Sequence, residues 1–351
     1  MATIENTFLR AQLQERRKRL GTAVADPHSN ATLANLLREV DSALERMDSG
    51  IYGICEECHD PIEEDRLLAD PLVRFCLDHL TPQQQRALES DLVLAARVQG
   101  TLLPPNDFRA AGWHFHYHWQ PFALVSGDYC DLIYSKDGTE EIWFLLGDVS
   151  GKGVAASMLM THLHAIFRSL TSRAAQPAEH MQHLGASAGA PPGNGSLSIE
   201  QLMTMANRVF CESVMAGQFA TMVGGHASRD GRVEIVNAGH CPVLVVKSDG
   251  VTTFHSTGVP LGMFCDGSAT IQSVSLEQGE SLFLYTDGLS EMCNPEGTQF
   301  GNERVRRFLA DHAAKPPDAL VTACLREMDG FAAGAPASDD LTMMVIRRTA
   351  A

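Results

Sequence analysis

The sequence predicts an α+β protein in which a helical hairpin and a small metal-binding module precede a larger layered domain. Three observations carry this expectation. Apolar residues recur every three or four positions in the first 50 residues and again over 82–103. Three cysteines crowd between 55 and 76. From about residue 112, short β-rich runs alternate with Gly-, Asn- and Asp-containing turns. A chain of 351 residues has room for two or three domains and a sizeable core.

In the first 50 residues two helices are expected. The second is the clearer: Leu33, Leu36, Leu37, Val40, Ala43, Leu44 and Met47 form its stripe, Asn30 or Thr32 caps it and Gly50 stops it. Asp26-Pro27 and Ser29-Asn30 read as the intervening turn, so an antiparallel hairpin is the simplest assembly. A further helix spans 82–103, from Pro82 in its first turn to the Pro104-Pro105 stop, with Leu88, Leu92, Ala95, Ala96, Gln99 and Leu102 on one face. Strands are expected at His114–Gln120, Glu141–Leu146, Ala220–His226, Val233–Val236, Val243–Lys247, Ser281–Tyr285 and Leu341–Arg347, with helices near 153–172, 198–216, 301–313 and 317–331. Residues 174–197, rich in Ala, Gly and Pro and without a period, read as a flexible insertion. The expected domains are 1–80, a connecting helix at 81–105, and 106–351.

Composition narrows the function classes. Hydrophobic residues make up 44% and charged residues 20%, an ordinary folded composition. A net charge of −16 argues against binding nucleic acid or anionic lipid over the whole surface. No apolar run reaches membrane-span length and the N-terminus lacks a signal-peptide h-region, so a cytoplasmic protein is expected. The nine cysteines do not form a disulfide framework: six are scattered singly and read as small core residues.

The other three cysteines carry chemistry. Cys55-x2-Cys58, seventeen residues, then Cys76-x2-His79 places two ligand pairs at knuckle spacing. Zn²⁺ takes four such ligands in a tetrahedron, and a set without an open position folds a module rather than catalysing. His59 competes with His79 as fourth ligand, and spacing favours His79. The residues around them, Ala43-Leu44-Glu45-Arg46-Met47, Gly50–Cys55, Ile62, Arg66-Leu67, Asp70-Pro71 and Cys76, resemble the zinc finger of the DksA/TraR family over about 35–80. In that family the fourth ligand is typically cysteine, so His79 departs from the pattern. The family also inserts an acidic-tipped hairpin into the secondary channel of RNA polymerase, whereas here Asp26 is the only acid near the turn. Glu56, Glu57, Asp60, Glu63, Glu64 and Asp65 crowd the finger and read as a solvated face.

Four Asp-containing turns stand out further on: Ser126-Gly127-Asp128, Gly147-Asp148-Val149-Ser150-Gly151-Lys152-Gly153, Thr286-Asp287-Gly288, and Ser338-Asp339-Asp340-Leu341-Thr342. Asp148 and Asp287 follow apolar β-like runs, and Asp339 and Asp340 precede one. Strand ends can gather distant carboxylates into one cluster, and hard cations such as Mg²⁺ and Mn²⁺ prefer such oxygen ligands. Together with Leu94–Gln99, Leu102-Leu103-Pro104, Phe219-Ala220-Thr221, Asn237–Pro242 and Gly258–Gly262, these turns resemble the metal-dependent PP2C-type protein phosphatases, in the branch of SpoIIE and RsbU, over about 90–347.

That resemblance implies an α/β/β/α sandwich and a protein-serine/threonine phosphatase using hydroxide held between two Mn²⁺ or Mg²⁺ ions. It implies that Asp148 bridges both metals beside the Val149 carbonyl, that Asp128 and Asp287 are ligands, and that Asp339 is the ligand of the last turn with Asp340 its neighbour. The histidine of the eukaryotic Asp-Gly-His-Gly turn is absent, since Val149-Ser150-Gly151 follows Asp148. The implied substrate is a phosphorylated anti-sigma-factor antagonist of the STAS type. The helix at 82–103 would couple the zinc module to the metal site, and a homodimer through the N-terminal helices is plausible. The alternative is a non-catalytic regulator that binds RNA polymerase or another partner through its finger. Gly151-Lys152-Gly153 lacks the pattern of a nucleotide-binding P-loop, though its backbone could hold phosphate. His240 reads as a turn-stabilising residue, His114, His116 and His118 as a solvent-facing strand side, and His162 and His164 as packing or surface residues.

Overall fold

The computed structural model describes residues 2–24, 31–79, 82–134, 141–174, 197–215 and 217–350. The turn expected around Asp26 and nearly all of the expected 174–197 insertion lie outside them. The chain divides into two compact units, Met1–Asp91 and Leu92–Ala351.

In the first unit, α1 (Ala2–Val24) and α2 (Ala31–Asp48) pack through Leu13, Val40, Ala43 and Leu44. Gly50, at φ +73°, takes the left-handed turn that ends α2. The finger follows, with the short α3 (Glu64–Ala69) and a 3₁₀ turn at Leu77–His79 around a small core of Cys55, Ile62 and Cys76. Glu56 joins finger to hairpin by accepting from the buried Arg46 at 3.1 Å and from Arg74. Helix α4 (Pro82–Leu102) runs across the boundary between the units.

The second unit is a sandwich of two antiparallel sheets. One has the order β1 (Asp107–Ala110), β2 (Trp113–Gln120), β11 (Leu341–Arg348), β10 (Ser281–Tyr285), β7 (Val243–Lys247), β8 (Gly250–Phe254). The other has the order β3 (Asp128–Tyr134), β4 (Ile142–Val149), β5 (Ala220–Ala227), β6 (Arg232–Ala238), β9 (Gln272–Ser275). Alternate side chains of each central strand serve two cores. Ile142, Phe144 and Leu146 of β4 meet Leu282 and Leu284 of β10 between the sheets, while Leu145 and Val149 face α5 (Gly153–Ala174) and α6 (Ile199–Cys211). Phe283 and Tyr285 turn outward to α8 (Asn302–His312) and α9 (Pro317–Ala332). The expected α/β/β/α order is thus the observed one.

Several expectations change. β1, β3, β8 and β9 had not been expected as strands. The turn expected at Ser126-Gly127-Asp128 opens directly into β3, where Asp128-Tyr129-Cys130-Asp131-Leu132 is buried on both faces and shows no alternation. The scattered cysteines are not all free, since Cys211 and Cys265 are disulfide-bonded. Asn207 draws the β8–β9 loop onto α6 by donating to the carbonyls of Phe264 and Cys265, which brings the two Cα atoms to 5.6 Å. Nor do all the β2 histidines face solvent, although His118 stays partly exposed. His114 is buried and lies 3.0 Å from Asp107 of the neighbouring strand, and His116 shares that carboxylate. His162 and His164 pack as expected, against Phe210 and Tyr129.

Phe144 is fully buried between the sheets, and a methyl on Gly225 would lie 1.9 Å from its ring. Phe144→Ala is expected to destabilise this unit by about 3–5 kcal/mol, read as a lowered urea midpoint.

Candidate active site

Register brings the carboxylates together. Asp128 opens β3 directly opposite Asp148 near the end of β4, and Thr221 of β5 lies on the far side of Asp148. Asp287 starts the single-turn helix α7 (Asp287–Ser290) after β10, and Asp339 and Asp340 lead into β11, which pairs with β10. Glycine is required where these segments meet. A Cβ on Gly288 would sit 1.9 Å from the Asp340 carbonyl oxygen, and one on Gly147 would sit 2.8 Å from that of Thr221.

Asp128 is almost wholly buried, and its Oδ2 accepts from the hydroxyls of Thr286, at 3.0 Å, and Thr342. Thr286 Oγ1 in turn accepts the Thr342 backbone N–H at 2.9 Å. Burial, then the neighbouring Asp148 charge, pushes the Asp128 carboxyl well above its ordinary range. Burial, then Asp287, Asp339 and Asp340, pushes Asp148 up to about 7. Asp287 is raised by burial and by Asp339. Asp340 has a different role: its two oxygens accept the backbone N–H groups of Phe122, at 2.7 Å, and Gly127, at 2.8 Å, which clips the β2–β3 loop against β11. Asp339 instead turns one oxygen to Lys152 Nζ, 2.9 Å away.

Lys152 also donates to the Ser338 carbonyl at 2.6 Å and lies 5.3 Å from the centre of the Phe122 ring. The sequence pattern points only to the backbone around Lys152 and gives Thr286 and Thr342 no role. A threonine beside each acidic turn was the available signal. His240 is buried beside Thr221 Oγ1 at 2.8 Å, and burial lowers its imidazole to about 4, so it is a neutral packing group. Behind the loop, Gln99 of α4 both donates to the Ser126 carbonyl at 2.6 Å and accepts the Ser126 N–H at 3.0 Å, two residues from Asp128.

Like charges forced together in a low-dielectric site with one lysine facing them are unfavourable until a cation enters. The donor set, all hard oxygens, fits Mg²⁺ or Mn²⁺. In the finger, ligand atoms of Cys55, Cys58, Cys76 and His79 lie within 4.8 Å of one another, a group that fits Zn²⁺, and the exposed His59 is not part of it. Among the described residues, no helix is long and apolar enough to cross a membrane.

A two-sheet sandwich flanked by helices, with carboxylates converging at its strand ends, defines the PP2C-type protein phosphatase class. Residues 138–349 match the family "Stage II sporulation protein E (SpoIIE)", and residues 50–78 match the prokaryotic DksA/TraR C4-type zinc finger. The chain belongs to the SpoIIE family. It is 27% identical over 266 residues to protein IcfG of Synechocystis, covering 74% of this chain and 41% of IcfG. It is 24% identical over 270 residues to the phosphoserine phosphatase RsbU of Bacillus subtilis, covering 75% of this chain and 72% of RsbU. The fold matches the SiaA PP2C domain of Pseudomonas aeruginosa with a TM-score of 0.60 at 17% identity, over 76% of this chain and 98% of that one.

A carboxyl raised from 3.8 to about 7 keeps a proton that the unfolded chain has released. Between about pH 4 and 7 the contribution of this carboxyl to the stability of the metal-free protein therefore falls as pH rises. Asp148→Asn is expected to raise the melting temperature of metal-free protein at pH 7.5 and to change it little at pH 4. A constant difference across that range would refute the assignment.

Proposed function

We propose that the chain is a metal-dependent serine/threonine phosphoprotein phosphatase acting on a phosphorylated anti-sigma-factor antagonist of the STAS type. The observation that carries the reading is the raised pair Asp128 and Asp148, packed with Asp287 and Asp339 at one end of the sandwich. A binding scaffold has no need to hold such a set against its own repulsion. The substrate class is inferred from the likeness to RsbU, a phosphoserine phosphatase.

Asp128, Asp148 with the Val149 carbonyl, Asp287 and Asp339 would hold two Mn²⁺ or Mg²⁺ ions, with Asp340 as the loop clip beside them. When bound, the metals supply the acidity that activates a water and neutralise phosphoryl charge. The threonine hydroxyls orient Asp128. With Asp339 engaged by a metal, Lys152 would be free to meet phosphoryl oxygens from its place over Phe122. Cys55, Cys58, Cys76 and His79 would hold one structural Zn²⁺. The Gln99 clamp on Ser126 supports α4 as the regulatory input, because displacing the helix strains the strand that carries Asp128.

Phosphate release from p-nitrophenyl phosphate with Mn²⁺ is expected in the wild type and is expected to fall at least about 100-fold in Asp148→Asn. Full activity in that variant would reject the two-metal reading. Lys152→Met is expected to raise KM more than it lowers kcat. A chain beginning at residue 104, lacking Gln99, is expected to differ in activity from the full chain; equal activity, with and without partner, would remove the coupling role of α4.

A further inference from the structure

The loop between β8 and β9, residues 255–271, reaches the candidate metal site from the side. Leu261 exchanges both backbone hydrogen bonds with Ala220, at 2.9 and 2.8 Å. Ala220 and Thr221 pair in turn with Val149 and Asp148 on β4. The same loop is fastened to α6 at two places. Asn207, buried on that helix, donates to the carbonyls of Phe264 and Cys265 and accepts the Gly262 N–H at 2.9 Å. One turn further along the same helix face, Cys211 is bonded to Cys265. The two fastenings differ in chemistry. The hydrogen bonds of Asn207 are indifferent to redox state. Cys265 lies in an exposed run, 263–266, and Cys211 is only half-buried, so solvent-borne thiols and oxidants reach the bond. The other cysteines are shielded in their own ways. Cys130 and Cys324 are buried, Cys55, Cys58 and Cys76 belong to the zinc group, and burial followed by the Asp287 charge pushes the Cys241 thiol up to about 12.

We propose that Cys211 and Cys265 form a reversible oxidative modification site, taking hydrogen peroxide as oxidant and a dithiol as reductant, whose state sets how firmly the β5 side of the metal site is held. The second half of the proposal rests on the metal-dependent reading of that site. In the forward direction the Cys265 sulfur gives up its proton and attacks a peroxide oxygen. The O–O bond breaks, one oxygen stays on sulfur as a sulfenic acid, and the other leaves as water. The Cys211 sulfur, losing its own proton, then displaces the second oxygen as water while the S–S bond forms. Two thiols thus lose two electrons and two protons, which reduce one peroxide to two waters. A dithiol returns both and becomes its own disulfide. Asn207 keeps the thiols close in the reduced state, so pairing is an intramolecular step. With the bond closed, α6 and the loop move as one body, and Leu261 holds Ala220 in place beside Val149. With it open, the hydrogen bonds of Asn207 carry that attachment, and more disorder must be removed when a metal binds.

The test uses the full-length, zinc-loaded protein. Free thiols are trapped with N-ethylmaleimide after dithiothreitol treatment, and again after the dithiol is removed and one equivalent of hydrogen peroxide is added, and are located by peptide mass spectrometry. Positions 211 and 265 should take the label after the dithiol and lose it after peroxide, with circular dichroism unchanged. The oxidised form should melt about 5 °C or more above the reduced form. Its half-saturating Mn²⁺, read from the paramagnetic resonance signal of the free ion, should be lower by about fivefold. Cys265→Ser should match the reduced wild type in both treatments. The proposal is overturned if the bond survives the dithiol while the protein stays folded, if peroxide fails to join the two sulfurs, or if both forms bind Mn²⁺ equally well. Mn²⁺ binding by neither form would reject the two-metal reading instead, and the melting temperatures would then decide the thiol pair, equal values overturning it.

Discussion

The repulsion between Asp128 and Asp148 is the constraint around which the second unit is organised. Two carboxylates opposite each other at the end of a β-ladder would separate in a flexible chain. Here the β3–β4 register holds them, and each strand is anchored by side chains in the cores on both sides. The hydrophobic sandwich thus supplies the work of keeping charges close. Thr286 and Thr342 take up one oxygen of Asp128, and the clip made by Asp340 fixes the loop that delivers Gly127 to the same place.

Much of this was legible in the sequence. Asp148, Asp287 and Asp339 each adjoin an apolar run, which puts them at strand ends, and the Cys55, Cys58, Cys76 and His79 spacing is set by the geometry of a knuckle. The central strands were readable because they are continuous runs of large apolar residues. β3 was not, because its fully buried faces erase the period that marks a half-exposed strand. The different hydrogen-bond settings of Asp339 and Asp340 were not legible locally. The residues themselves look alike, and what separates them is which neighbouring N–H groups the fold presents.

Other features depend on partners far away in the chain, and no local pattern reports them. The disulfide between Cys211 and Cys265 needs α6 and the β8–β9 loop to meet, which Asn207 brings about. The histidines of β2 alternate as a solvent-facing strand would, yet Asp107 from the adjacent strand turns that face into a charged, partly enclosed one. The Gln99–Ser126 pair spans 27 residues and joins a helix to a loop. For the cysteines and the β2 histidines the side-chain type gave a default reading that a long-range partner reversed, and for Gln99 the partner added a contact that the helix pattern alone does not show.

The position of β11 has a kinetic consequence. It lies between β2 and β10, and its register places Leu341 against Gln120, more than 200 residues earlier. Closing that loop costs entropy before the pairing returns any stability, so this step is intrinsically slow. Until it occurs, β2 and β10 each present an unpaired edge, and Asp128 lacks the hydroxyl of Thr342. A nascent chain that has not reached β11 therefore carries aggregation-prone edges and an incomplete carboxylate site at the same time, so activity cannot appear before the sheet has closed.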